Sequence, residues 1–241
     1  MKRLRFALAF LTIVPIGRLG TVREQDIAGS FVWFPLVGLG IGGILAGTHR
    51  VVTMWLPPLA VGACVLLLWI LVTGALHLDG LGDTCDSLYA GRTPAERLRI
   101  MKDPHVGAMA VVAISGLLIA KFALVSSAIP PRLWQALVLA PCLGRYAMVL
   151  LGTLLPYARR EQGLGASFVQ HAHPGHLFGA TVIAGAACWW VLGPAAWGVL
   201  AMVLAGTGLL GWIFVRSFGG VTGDTLGATG ELIEAVVLLG C

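Results

Sequence analysis

Long apolar runs separated by short polar connections dominate the chain, and their lengths set its class. Residues 31–48, 57–76, 107–129 and 133–157 are each close to the roughly 20 apolar residues that a helix needs to cross a bilayer. The run 177–214 is long enough for two passes if it turns near Gly193 and Pro194. Residues 225–241 form a shorter segment that carries Glu231 and Glu234, which reads as a packed or re-entrant helix. At the start, MKRLRFALAF joins a basic flank to a short apolar stretch. Pro15 and Arg18 interrupt it and no small-residue cleavage site follows cleanly, so residues 5–16 read as a mature interfacial helix, not a signal peptide. The predicted fold is all-α: a polytopic integral membrane protein of about six to seven transmembrane helices plus the short N-terminal interfacial helix. It forms a single domain over 1–241, with no soluble domain and no internal repeat.

Composition agrees with that class. Hydrophobic residues make up 58% of the chain and charged residues only 11%, against about 25% charged in a soluble domain. A water-soluble globule is excluded. Cys64, Cys85, Cys142, Cys188 and Cys241 are scattered, with neither a CxxC pair nor a metal-type spacing. The net charge of +5 is spread over connections and forms no aromatic-interleaved patch, so no nucleic acid partner is implied.

The basic residues instead define orientation. Lys2, Arg3, Arg5, Arg18 and Arg23 precede the first span; Arg92, Arg97, Arg99 and Lys102 follow the second; Arg159 and Arg160 follow the fourth; Arg216 follows the sixth. Only Arg50 and Arg132 fall on the other side. Positive-inside asymmetry therefore predicts a cytoplasmic N-terminus and cytoplasmic segments 76–106, 158–176 and 217–224.

Most of the candidate chemistry falls in those segments. Residues 74–107 read GALHLDGLGDTCDSLYAGRTPAERLRIMKDPHVG. Asp79, Asp83 and Asp86 are four and three apart, so on a helix they stack on one face over two turns, with His77 just before them. Three carboxylates on one stripe at a membrane boundary repel one another unless cations neutralise them, and an all-oxygen set suits a hard divalent ion, Mg²⁺ first. Residues 95–102 read as a short amphipathic helix ending at Asp103-Pro104. Its Arg97, Arg99 and Lys102 could meet lipid headgroups or substrate phosphate, or simply hold the connection inside. A second polar cluster, GGVTGDTLGATGELIE over 219–234, offers glycines that let backbone amides approach an anion, Asp224 as a further metal ligand, and Glu231 and Glu234 on one helical face. Arg145 falls within the fourth span, where a charge needs either an acidic partner or a bound phosphate. His171, His173 and His176 sit in a loop-like GLGASFVQHAHPGH stretch without the partners of a metal site.

Taken together these residues resemble the cobalamin synthase family. The resemblance rests on His77-Leu-Asp79-Gly80-Leu-Gly-Asp83-Thr-Cys-Asp86, on Ile100-Met101-Lys102-Asp103 with Gly107, and on Gly220-Val-Thr222-Gly223-Asp224 with Gly227-Ala228 and Glu234. It runs from the N-terminal FLTIVP to the C-terminal cluster. The CDP-alcohol phosphotransferases pair DGxxAR with a later GxxxDxxxD; here Asp79-Gly80 is followed by Leu81-Gly82-Asp83, so membership there is not supported. What the resemblance implies is transfer of the phosphocobinamide part of adenosylcobinamide-GDP to the 3′-hydroxyl of α-ribazole or its 5′-phosphate, with release of GMP. It implies a bacterial inner membrane location with the active site facing the cytoplasm, and leaves a homo-oligomer open. On this reading Asp79, Asp83, Asp86 and Asp224 are the Mg²⁺ ligands, and one of these aspartates or His77 accepts the hydroxyl proton. Lys102, Asp103, Arg145, Thr222 and Gly223 contact substrate. A secondary transporter is the competing class, but it would carry inverted repeats and charges near the midplane, whereas most acidic residues here fall at helix ends.

Reporter fusions test the orientation directly. Fusions after Gly91 or Gly165 are expected to report cytoplasm, and fusions after Pro130 or Gly193 the opposite side. A Gly91 fusion reporting the outside would move the acidic segment to the other face.

Overall fold

The computed structural model describes residues 2–17, 20–127, 130–159 and 163–241; Arg18, Arg160 and the side chain of Arg132 lie outside the described residues. Helices are the regular elements of the described chain, joined by short irregular connections and one isolated bridge between Tyr157 and Val221. The helices are α1 (Lys2–Leu11), α2 (Glu24–Gly29), α3 (Phe34–Val52), α4 (Pro58–Thr73), α5 (Leu76–Ala90), α6 (Pro94–Ile100), α7 (Ala108–Ser127), α8 (Pro130–Leu154), α9 (Leu164–Gln170), α10 (Pro174–Leu192), α11 (Ala196–Phe218) and α12 (Gly223–Gly240). Short 3₁₀ turns precede α3 and α11.

The N-terminal helix starts and ends earlier than the expected 5–16. After Leu11 the Thr12 hydroxyl donates to the Leu8 carbonyl, and the Ile13 amide donates to Val72 at the end of α4. The chain thus leaves the helix to satisfy its amide elsewhere. Phe6 and Phe10 of α1 join Phe31, Phe34 and Phe168 in one aromatic cluster with ring centroids 4.9–6.3 Å apart. That cluster also explains α9, which the sequence presents as a loop: Phe168 needs a buried partner, and a short helix delivers it.

Four stretches are long and apolar enough to cross a membrane: Glu24–Val52, Ala108–Ser127, Leu133–Leu154 and Pro174–Phe218. The 45 residues of the last would extend roughly 65 Å as one helix, twice a bilayer core. Instead the chain breaks at Gly193, whose φ is +55°. Val191 at the end of α10 accepts a hydrogen bond from Gln135 near the start of α8. Gly211 of α11 packs on Leu151 and Leu155 near the end of α8. The two arms therefore run in opposite directions. The second expected span is a bent pair: α4 and α5 meet at 88°, and together they qualify as a fifth candidate. Gly74 and Ala75 both adopt left-handed backbone at the bend, and their amides close the end of α4 on Leu71 and Ile70. Holding the non-glycine Ala75 there costs about 1 kcal/mol. Both arms rest on α7, α4 through Gly62 against Phe122 and Ser126, α5 through Gly82 against Ala110 and Ile114.

At the centre stand α8 and α12, backbone against backbone where Gly144 meets Gly230. The α3–α8 contact is equally close. A methyl group at Gly38 would lie 2.7 Å from the Cys142 Cα, and one at Gly42 2.7 Å from the Val138 Cα. This is the small-xxx-small spacing by which membrane helices approach. The neighbouring Gly40 faces open space. Gly38→Val is therefore expected to destabilise the protein in detergent by about 1–3 kcal/mol, seen as a lower Tm. Gly40→Val, matched in chemistry, should leave Tm unchanged; equal losses would mean that helix propensity, not packing, is being read.

Candidate active site

Of the helices, α5 and α12 carry the two acidic clusters, and they cross in contact. A Cβ at Gly80 would sit 2.8 Å from the Asp224 carbonyl and 3.0 Å from its Cα, so glycine is what lets the start of α12 reach the aspartate stripe. Asp83 is consequently close enough to Asp79, Asp86, Asp224 and Arg159 to interact electrostatically with each. Asp79, Asp83 and Asp86 do share one helix face, as their spacing predicts.

The four carboxylates hold different positions. Both oxygens of Asp86 are engaged: they accept from the Gly107 amide at 2.7 Å and the Ala110 amide at 2.8 Å. Asp86 thus caps α7 from a distance, satisfying donors that a helix start leaves orphaned. Asp224 is paired with Arg159 at 2.7 Å. That pairing follows from the backbone: Val221 donates to Pro156 and Ala158 donates to Val221, both at 2.8 Å, which lays the end of α8 alongside the start of α12. Asp79 is exposed and Asp83 half-buried. Among the described residues neither accepts a hydrogen bond nor makes an ion pair, so their oxygens are left open.

A cleft of about 290 Å³ opens beside them, lined by Asp83, Asp86, Tyr89, Ile100, Asp103 and His105 among others. Asp103 accepts from both the backbone amide of His105 at 3.0 Å and its ring Nδ1 at 2.6 Å. Those bonds hold the Asp103 carboxyl below the usual carboxylate range. Lys102 is exposed one residue earlier.

Three expected site residues lie elsewhere. Arg145 is fully buried and pairs with Glu234, so its partner is the protein. Glu234 also pairs with Lys121, and Lys121 meets Glu231 at 2.6 Å and the face of Trp69 at 4.5 Å. The expectation that acidic residues gather at helix ends fails for these two glutamates. His77 is buried with its chain against Gly227, and its ring nitrogens find no partner among the described residues. It faces the interior and is not among the residues that line the cleft. Thr222 is also buried. Its hydroxyl accepts from the Thr225 amide in a capping box and touches the Met101 sulfur at 3.3 Å, so it starts α12, while Gly223 beside it is exposed. Met101 of the IMKD run is likewise a packing residue. Arg97 serves structure as well, donating to the Gly91 and Ser217 carbonyls and tying α6 to α11. His171 faces Glu24 at 3.4 Å, and the His173 and His176 rings meet tilted at 34°, their centroids 3.6 Å apart.

Sequence reasoning passed over Lys121 and gave Arg159 only a topological role. A lone lysine in the apolar run 108–127 is itself a signal, because an unpaired cation there is costly. Arg159 carries no such mark; only chain pairing at Val221 reveals its partner.

An all-helical membrane bundle with unpaired carboxylates and an arginine gathered at one end is the architecture of an integral membrane enzyme that handles anionic groups. The family model described as cobalamin-5-phosphate synthase matches residues 3–241. A relative from Desulforamulus reducens, named adenosylcobinamide-GDP ribazoletransferase, is 40% identical over 98% of this chain and 94% of its own. Relatives of the same name from Roseiflexus and Pseudomonas savastanoi are 41% and 39% identical, covering 96% and 97% of this chain and 86% and 96% of theirs. No solved structure matches. The chain belongs to the cobalamin-5-phosphate synthase family.

The division among the aspartates has a measurable consequence. Asp86→Ala removes a cap and is expected to cost about 1–2 kcal/mol, visible as a lower Tm. Asp83→Asn relieves repulsion among like charges and should leave Tm unchanged or higher. Equal Tm for Asp86→Ala and wild type would mean that the α7 start does not depend on this carboxylate.

Proposed function

We propose that this protein transfers the phosphocobinamide group of adenosylcobinamide-GDP to the 3′-hydroxyl of α-ribazole or its 5′-phosphate, releasing GMP. The active end faces the cytoplasm of a bacterial inner membrane, in line with the loop charges. The observation that carries the reading is Asp83, which lines the cleft without a hydrogen-bond partner and interacts electrostatically with Asp79, Asp224 and Arg159.

Among the described residues, no three His, Cys, Asp or Glu side chains form a ready-made metal site. The donor set still fits Mg²⁺, which typically takes one or two protein carboxylates and completes its shell with water and substrate phosphate. Asp79 and Asp83 would hold the ion, with Asp224 at its edge. An ion held there would supply neutralisation of charge on the diphosphate and on the departing GMP. Asp224 holds Arg159 at the same place, where the guanidinium can face a phosphate. Asp83, which lines the cleft and has no hydrogen-bond partner of its own, takes the proton of the attacking hydroxyl. Asp86 acts indirectly by fixing the start of α7.

The assay is GMP release from adenosylcobinamide-GDP and α-ribazole by purified protein as Mg²⁺ is varied. Asp83→Asn is expected to lower turnover by at least about 100-fold while the protein stays folded. Asp79→Asn and Asp224→Asn should each weaken the Mg²⁺ dependence, and together cost less than the sum of their separate effects, because ligands of one site act as a unit. Full additivity would place Asp224 outside the site.

A further inference from the structure

The cleft has two walls of different character. Helix α5 supplies Asp83 and Asp86; the connection between α6 and α7 supplies Asp103 and His105. Asp103 binds the His105 amide and ring Nδ1 together, which turns Nδ1 to the carboxylate and leaves Nε2 at the far end of the ring. The imidazole is 90% exposed, so it packs against nothing, and its bond is local, two residues apart. A ring so oriented at the mouth of an acidic cleft supports no part of the core. Its remaining nitrogen is presented to whatever enters.

A diphosphate that meets Asp79 and Asp83 through a cation still has anionic oxygens turned away from them, and these need donors. The amides of Gly107 and Ala110 are committed to Asp86, and Arg159, beside Asp224, is not among the residues lining this cleft. Of the ionisable side chains lining the cleft, Asp83, Asp86 and Asp103 are acceptors; Tyr89 ends in a neutral phenol, and His105 offers a ring donor that becomes cationic on protonation. We propose that His105, oriented by Asp103, donates from Nε2 to a phosphate oxygen of the nucleoside-diphosphate-activated substrate and sets its affinity. The inference rests on the transferase reading for its substrate. Asp103 is then a positioning residue, and His105 a substrate contact present in both the ground and transition states.

Such a contact predicts a split in the kinetics. His105→Ala should raise KM for adenosylcobinamide-GDP about tenfold, with kcat and the KM for α-ribazole within a factor of about two. His105→Arg should restore most of the affinity, because guanidinium is also a phosphate donor. Asp103→Asn should fall between. Calorimetric titration with GDP in the presence of Mg²⁺ should show the same order of affinities, a readout that stands even if wild-type protein releases no GMP and the transferase reading falls. Unchanged GDP affinity in His105→Ala would overturn the inference. So would loss of kcat at constant KM in both His105→Ala and His105→Arg, which would make the ring a proton-transfer group. Tm should be unchanged in all three variants, as befits exposed side chains; a lowered Tm in His105→Ala would assign the residue to structure instead.

Discussion

Charge cannot stay unpaired inside a lipid-embedded bundle, and four side chains here answer that constraint together. Lys121 on α7, Arg145 on α8, and Glu231 and Glu234 on α12 are all buried, two cations against two anions, with Glu234 bridging both cations. Removing any one partner would leave an uncompensated buried charge, typically worth about 3–5 kcal/mol. The pairing therefore fixes the depth at which α12 sits between α7 and α8. A sliding movement of α12 by one turn would bring one glutamate to about the other's place and leave its partner without a cation. Trp69 adds α4 to the same centre through the Lys121 ammonium.

Everything at the acidic end inherits that registration. Because α12 is held at one depth, its start falls where Gly80 of α5 can receive it, and Asp224 arrives beside Asp79 and Asp83. The start of α7 is fixed at the same end by Asp86, and the end of α8 by its pairing with Val221. Three structural ties thus converge on one small region, and each uses polar groups that would otherwise be orphaned. The remaining carboxylates, Asp79 and Asp83, are the ones without a structural task. Carboxylates on helices locked in this way are preorganised.

The buried network also separates this protein from a transporter. Its cations and anions are equal in number and paired with one another, so the network itself offers no open charge for a coupling ion. The open charge lies at the helix ends instead, in a cleft that reaches the exposed connection between α6 and α7.

Much of this was legible in the order of residues alone. Membrane class and helical fold follow from apolar run length, because lipid leaves a spanning backbone few alternatives. The common face of Asp79, Asp83 and Asp86 follows from helical periodicity, and the α12 start from Thr222-Gly223-Asp224. Roles within those patterns depend on partners far along the chain. Asp86 and Asp83 look alike until α7 is placed over one of them, 21 residues on. Arg145 reads equally as a phosphate ligand or a paired charge until α12 brings Glu234 to it. His77 lies two residues before Asp79, so the helix turns it to the opposite face, where its backbone meets Gly227. Periodicity determines which side chains share a face; only the packing of one helix on another decides which of them are consumed by structure and which are left for chemistry.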